Sequence, residues 1–284
     1  MIGAIIGDIV GSRFEFNNYR KKDFDLFTKE CKVTDDSIMT LAVAKSIMET
    51  EKILKPSFQS VHPVYFSQVE KMSVKFMQEI GRKYPNCGYG GRFKEWVHSQ
   101  NPQPYNSFGN GAAMRVSPVG FVAQTEKEVT LLSKAVTRVT HNHQEGLKGA
   151  EAVAVAVYMA QRGSTKDDIQ KTIESRYYSL DFTIDEIRDS YETDLSCQGT
   201  VPQAIKAFLE STSFEDAVRT AVSIGGDSDT IAAITGAIAE SYYGVPYDLK
   251  DQALAYLDSE LLSIYYEWEE FYEERQKNKQ VSGF

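Results

Sequence analysis

Thiols, positive charge and long apolar runs are all scarce in this chain. Only three cysteines, Cys31, Cys87 and Cys197, occur in 284 residues. They are too few and too scattered for a disulfide framework, and no Cys-x-x-Cys pair suggests zinc or redox chemistry. The longest run of small apolar residues, Ala152 to Ala160, falls well short of the roughly 20 that span a bilayer. The apolar start, Met1 to Gly11, lacks a basic leader and is interrupted by Asp8, so it does not read as a signal peptide. A protein of the reducing cytoplasm, without a membrane partner, is expected.

Lys and Arg number 31 against 40 Asp and Glu, a formal net charge of -9. That balance repels nucleic acid unless a local basic stripe overrides it, and none is present. Lys21 and Lys22 are flanked by Arg20 and Asp23, while Arg275, Lys277 and Lys279 follow a run of glutamates. Both clusters read as solvated faces or a frayed tail. With 42% hydrophobic and 25% charged residues, the composition is that of an ordinary globular protein rather than a disordered one.

Helical periodicity dominates, and strand-like alternation is weak throughout. Ile38, Leu41, Ala42 and Met48 lay an apolar stripe along a helix from Asp36 to about Leu54, stopped by Pro56. Similar patterns predict helices over Val61 to Ile80, Glu126 to Thr140, Gln144 to Gln161, Asp167 to Tyr177, Pro202 to Leu209, Phe214 to Ser223, Asp229 to Tyr243, and Leu249 to about Arg275. The Gln144 and Asp229 helices are rich in Ala and contain Gly149 and Gly236, so their axes can approach closely; they are the expected central pair. Glycines cluster at 3, 7 and 11, at 88, 90 and 91, at 109 and 111, and at 225 and 226. Each cluster reads as the entrance to a helix where backbone can approach a ligand. Without a repeat, a low-complexity tract or a linker, residues 1-284 are expected to form one domain. Tyr265, Tyr266, Trp268, Phe271 and Tyr272 are expected to seal the core rather than form an interface.

Two segments carry the chemistry: Thr34-Asp35-Asp36-Ser37 and Gly225-Gly226-Asp227-Ser228-Asp229-Thr230, each just before a predicted helix. Either one alone is explained as a helix cap, because first-turn carboxylates complement the helix dipole by about 0.3 to 1 kcal/mol. Together they offer four carboxylates and several hydroxyls, all hard oxygen ligands, which suit Mg²⁺ or Mn²⁺ rather than zinc or copper. Side chains two apart in extended backbone point the same way, so Asp227 and Asp229 can act together. Four crowded carboxylates would repel strongly without roughly two divalent ions. A third segment, Gly7-Asp8-Ile9-Val10-Gly11-Ser12-Arg13-Phe14-Glu15, is neither a Rossmann fingerprint nor a P-loop. By spacing alone it is a tight helix-to-loop turn with Glu15 at the surface.

Taken together, Gly7-Asp8-x-x-Gly11-x-x-x-Glu15, Thr34-Asp35-Asp36, Gly109-Asn110-Gly111-Ala112-Ala113-Met114-Arg115 and Gly226-Asp227-Ser228-Asp229-Thr230-Ile231-Ala232 resemble the ADP-ribosylglycohydrolase family, in family order and across most of the chain. The resemblance implies an all-α orthogonal bundle with a binuclear Mg²⁺ or Mn²⁺ site at helix N-termini. It also implies hydrolysis of the glycosidic bond at the distal ribose of ADP-ribose conjugates. Thr34, Asp35, Asp36, Asp227, Asp229 and Thr230 match the metal ligands, and Glu15 matches the mobile acidic residue that gates the site or helps activate water. Asp36 and Asp227 are grouped with Glu15 as the residues closest to the chemistry.

Ser107-Phe108-Gly109-Asn110 matches a loop that cradles a diphosphate with backbone amides while its aromatic ring packs on the ligand. Gly88-Tyr89-Gly90-Gly91 resembles a further ligand-side loop, and His141 resembles a ligand-contacting histidine at a helix start. His143 has no assigned role. Rival readings are a two-metal nucleotide phosphohydrolase, which would release AMP or phosphate, and an ADP-ribose-binding protein without turnover. The acceptor is expected to be arginine on an ADP-ribosylated protein, because an acidic enzyme favours a guanidinium.

Overall fold

The computed structural model describes residues 1–54 and 62–282, with the side chains of 278–282 left aside. Pro56, Val61 and the Lys279 side chain therefore lie outside the described residues. Fourteen α-helices occur among those described: α1 (Ile2–Gly11), α2 (Asp35–Leu54), α3 (Pro63–Gly81), α4 (Gly91–His98), α5 (Ser117–Val122), α6 (Glu126–Thr137), α7 (Gln144–Gln161), α8 (Lys166–Arg176), α9 (Ile184–Ile187), α10 (Cys197–Glu210), α11 (Phe214–Val222), α12 (Ser228–Tyr243), α13 (Tyr247–Leu254) and α14 (Ser259–Ser282). Among the described residues no strand forms; an isolated antiparallel bridge joins Gly109 to Ser196. The all-α architecture agrees with the periodicity.

Local chemistry sets the helix starts. Thr125, Thr165, Thr183, Ser196 and Ser213 each accept a first-turn amide, which satisfies donors that the helix itself cannot. The expected start of α10 at Pro202 is too late. Ser196 caps Gly199 N, so the helix begins at Cys197 and carries Pro202 inside it, leaving the Gln198 carbonyl without its usual helical partner. The single helix expected from Leu249 to Arg275 is two, because Asp258 Oδ1 accepts the amides of Glu260 and Leu261 at 3.0 Å and starts α14 afresh.

α7 and α12 are central, as their alanine content predicts; every residue of α12 from Ser228 to Ala239 is buried. The close approach at Gly236 is made with α1, not with α7. Gly3, Gly7 and Gly11, spaced four apart, form one face of α1, and it lies along α12 more extensively than any other helix pair meets. A methyl group placed on these three would sit 2.2 Å from Gly236 O, 2.0 Å from Ala232 O and 2.5 Å from Asp229 Cα. These glycines are thus a packing stripe, not a helix entrance. That stripe brings Asp8 of α1 to the beginning of α12.

Tyr265 and Trp268 are fully buried, and Phe271 and Tyr272 pack on the core, whereas Tyr266 faces out. Arg275 is not part of a frayed tail: it forms ion-paired hydrogen bonds of 2.6 and 2.7 Å with Glu51 and donates to the Val122 carbonyl. No helix among the described residues is long and apolar enough to cross a membrane.

Candidate active site

Three chain segments meet at one end of the α1–α12 pair. Asp35 and Asp36 lie in the first turn of α2, Asp229 lies in the first turn of α12, and Asp227 precedes it. Gly225 and Gly226 have φ of +79° and +72°, a double left-handed turn that residues with a Cβ resist. Ser228 Oγ donates to Gly11 O at 3.0 Å, which ties this turn to the end of α1.

The carboxylates form two groups that share Asp229. Ligand atoms of Asp8, Asp36 and Asp229 lie within 4.8 Å of one another, and so do those of Glu15, Asp227 and Asp229. Thr230 Oγ1 lies 3.3 Å from Asp36 Oδ2 as a donor. Asp36 Oδ1 is buried and has no hydrogen-bond partner. An orphaned carboxylate oxygen costs free energy unless a cation satisfies it. Hard oxygen donors gathered at this density fit one or more divalent ions of the Mg²⁺ or Mn²⁺ type.

The electrostatics point the same way. Burial, then the neighbouring carboxylates, raise Asp36 and Asp229 well above the usual aspartate range. Asp35 is pushed up to about 7 by burial and then by the charge of Asp8. Glu15 is not a surface residue: half-buried beside Asp227, it is raised to about 6, first by burial. Because these folded values exceed the unfolded ones, the cation-free fold binds extra protons and loses stability as pH climbs from about 4 through about 7. A divalent cation needs the ionised carboxylates, so its stabilisation grows over the same window. We predict a larger Mg²⁺-induced rise in Tm at about pH 7.5 than at about pH 5.5, measured by thermal denaturation; an equal rise at both would contradict the assignment.

Asp8 is not among the residues expected at the site, and Asn110 takes a part in it other than the one expected. Asp8 is fully buried; its Oδ2 accepts the amides of Thr34 and Ser37 at 3.0 Å, and its Oδ1 accepts from Thr34 Oγ1 at 2.5 Å. It therefore caps α2 from α1 and orients Thr34. The signal for it was a single carboxylate inside an otherwise apolar run. Asn110, expected only as part of a ligand loop, donates its side-chain amide to Asp227 Oδ2 at 2.5 Å and to Thr200 Oγ1 at 3.1 Å.

Asp35 adjoins these groups, its charge acting on Asp36, and its Oδ1 faces the Gly88-Tyr89-Gly90-Gly91 loop. Gly88 has φ +124°, and a methyl group there would sit 2.5 Å from Asp35 Oδ1. Gly88→Ala should therefore cost about 1 to 3 kcal/mol from backbone strain and lower turnover by displacing Asp35. Unchanged Tm and rate would refute this. The Tyr89 ring packs on Phe93 at 5.2 Å, and Gly90 precedes α4.

The Ser107-Phe108-Gly109-Asn110 loop lies beside residues 195–197, with Cys197 N donating to Phe108 O at 2.9 Å. Two amides expected to face a diphosphate are already engaged: Gly109 N donates to Ser107 Oγ and Asn110 N to Leu195 O. Phe108 is 49% exposed, and its ring lies 5.3 Å from the His143 ring. His141 is buried, and a methyl group at Gly111 would sit 3.4 Å from its Nε2. Its Nδ1 meets Thr140 Oγ1 at 2.7 Å, and Arg115 donates to that same hydroxyl at 2.6 Å. Burial, reinforced by Arg115, drives its pKa well below the ordinary value, so the ring is neutral. His143 is a cap, its Nδ1 accepting from Glu145 N.

Comparison with known proteins adds the decisive observation: the sequence profile of the ADP-ribosylglycohydrolase family matches residues 1–279. The chain belongs to the ADP-ribosylglycohydrolase family. Human ADP-ribosylhydrolase ARH3 is 24% identical over 342 aligned positions, covering 93% of this chain and 90% of that protein. ADP-ribosylarginine hydrolase Tri1 of Pseudomonas putida is 23% identical, covering 86% of this chain and 70% of its own length. A solved ADP-ribosylglycohydrolase-related protein complex shares the fold, with a TM-score of 0.61 at 21% identity and coverage of 93% and 94%. The protein is accordingly a hydrolase of this family, and its helical fold agrees with that membership.

Proposed function

We propose that the protein is a Mg²⁺- or Mn²⁺-dependent hydrolase that cleaves the glycosidic bond at the distal ribose of ADP-ribose conjugates, releasing ADP-ribose. The observation that carries this reading is the pair of carboxylate groups sharing Asp229, with an unpartnered oxygen on Asp36. Thr34, Asp35, Asp36, Asp227, Asp229 and Thr230 are the residues we assign to hold two divalent ions, with Asp8 buttressing Thr34. Bound there, such ions supply Lewis-acid stabilisation and a template for sugar hydroxyls.

The chain's own residues do the rest. Glu15, half-buried beside Asp227 and Asp229, can take a proton from the attacking water as positive charge grows at the anomeric carbon. Asn110 fixes the Asp227 carboxylate in one orientation. Neutral His141 offers its Nε2 side to a ligand at the Gly109–Gly111 turn. Phe108 presents an exposed aromatic face for packing on the ligand. Ser107, Gly109, Gly88, Tyr89, Gly90 and Gly91 complete the proposed ligand-side wall.

ADP-ribosylarginine on a protein is the proposed substrate. A net charge of -9 and an acidic site favour a guanidinium-bearing acceptor, and one relative is named for that activity. Three free cysteines suit a reducing cytoplasm, and a single contiguous apolar cluster supports one domain over 1-284. The acceptor is tested by competing ADP-ribosylated arginine peptide, serine peptide and O-acetyl-ADP-ribose in one reaction. The arginine linkage should be consumed at least about tenfold faster, a preference of about 1.4 kcal/mol. Faster loss of the serine or acetyl linkage would overturn the arginine assignment.

A further inference from the structure

We propose that Arg20 is a positioning residue that latches the Glu15-bearing loop onto the turn carrying Asp227, an inference that rests on the functional reading above. Residues 12–34 link α1 to α2 without a helix of their own after the first turns. A connection of that length holds its shape only through specific bonds. Arg20 provides three of them, beside those that Arg13, Arg219 and Tyr256 make to carbonyls of the segment itself. Its guanidinium donates to the carbonyls of Arg188, Ile224 (2.8 Å) and Tyr191 (2.7 Å), three acceptors on two other segments.

The contact reaches the acidic site directly. A methyl group at Gly225 would sit 3.3 Å from Arg20 Cζ, so the guanidinium lies against the left-handed turn that aims Asp227. Two residues earlier, Asn18 Oδ1 accepts the Gly226 amide at 2.9 Å. Tyr191, whose carbonyl Arg20 holds, places its ring against Gly226 and donates its hydroxyl to Gly199 O at 2.8 Å. No carboxylate pairs with Arg20 among the described residues. Its planar set of donors is used on main-chain carbonyls alone, a task for which lysine's point charge lacks the fork. Removing it frees Glu15 and Asn18 to drift from Asp227 while the helical core, built elsewhere, persists.

Arg20 also lines a cleft of about 540 Å³ with Lys21, Asp185, Arg188 and Thr220. A free guanidinium ion can therefore enter the space that Arg20→Ala would vacate. The experiment compares wild type and Arg20→Ala for Mn²⁺ affinity by electron paramagnetic resonance, and for kcat and KM with an ADP-ribose conjugate. Each is measured with and without guanidinium chloride at tens of millimolar.

Loss of a supporting partner predicts about 10- to 100-fold weaker Mn²⁺ binding and lower kcat, with KM moving less. Guanidinium should restore part of both in the variant and nothing in wild type. Mn²⁺ affinity and kcat within about threefold of wild type, or a loss that guanidinium leaves untouched, would overturn the proposal. If Arg20→Ala does not fold, Arg20→Lys decides the matter: the same losses support the latch, and wild-type behaviour refutes it. A wild-type protein that releases no ADP-ribose overturns the functional reading, while the Mn²⁺ comparison still decides the latch.

Discussion

Asp229→Asn is expected to lower turnover by about a thousandfold or more, because cation-borne charge stabilisation is worth several kcal/mol and each 1.4 kcal/mol is about tenfold. Asp229 is the one carboxylate common to both groups, and it is almost fully buried. Asparagine preserves its shape and can still accept the Thr230 amide, now made at 3.0 Å. The loss should therefore be chemical rather than architectural. A second signature separates the two. Burial and the charges of Asp227 and Asp36 disfavour the ionised form of Asp229, so the cation-free variant should melt higher than cation-free wild type, while Mg²⁺ should no longer raise its Tm. Asp36→Asn and Asp227→Asn should behave alike in rate. Activity within about threefold of wild type in any of the three, with Mg²⁺ stabilisation intact, would remove that residue from the proposed cation site.

Gly7→Val is expected to be the most damaging substitution outside the acidic cluster. A Cβ at Gly7 would lie 2.0 Å from Ala232 O and 2.6 Å from Ala233 N, and neither backbone group can step aside without moving a helix. Overpacking of this kind costs about 3 kcal/mol or more. For a chain of this size that corresponds to a Tm lower by roughly 6–12 °C. Activity should fall as well, since separating α1 from α12 moves Asp8 away from Thr34 and Asp229. Calorimetry and a rate assay on the variant check both parts. A Tm within about 2 °C of wild type would mean that the helix pair is not as tightly apposed as the geometry requires.

The same helix pair explains what could and could not be read from the sequence. Amphipathic periodicity located α2, α6, α7, α11 and α12 to within a few residues, because each buries one face or its whole girth in a single core. α1 is absent from the helices predicted because it spans only ten residues and three of them are glycine, a poor helix former. Its four-residue glycine spacing was the available signal. The short helices α4, α5 and α9 are too brief to show a period.

Within the site, Thr34-Asp35-Asp36 and Asp227-Ser228-Asp229-Thr230 stood out because both place several oxygen ligands where a cap needs one. Glu15 was recognisable only through the family pattern, since its burial beside Asp227 depends on how residues 12–34 fold back. Asn110 and Arg20 act across 117 and more than 160 residues of sequence, through a side-chain amide on Asp227 and a guanidinium on distant carbonyls. Local spacing carries no trace of such contacts.

The central claim is that these carboxylates hold divalent cations needed to break a glycosidic bond. The most direct test is mass spectrometry of the products formed from ADP-ribosylarginine peptide with Mg²⁺, with Mn²⁺ and with chelator. Free ADP-ribose and unmodified peptide are expected with either cation, and neither product with chelator. Release of AMP or phosphate, or equal release of ADP-ribose in the presence of chelator, would contradict the claim.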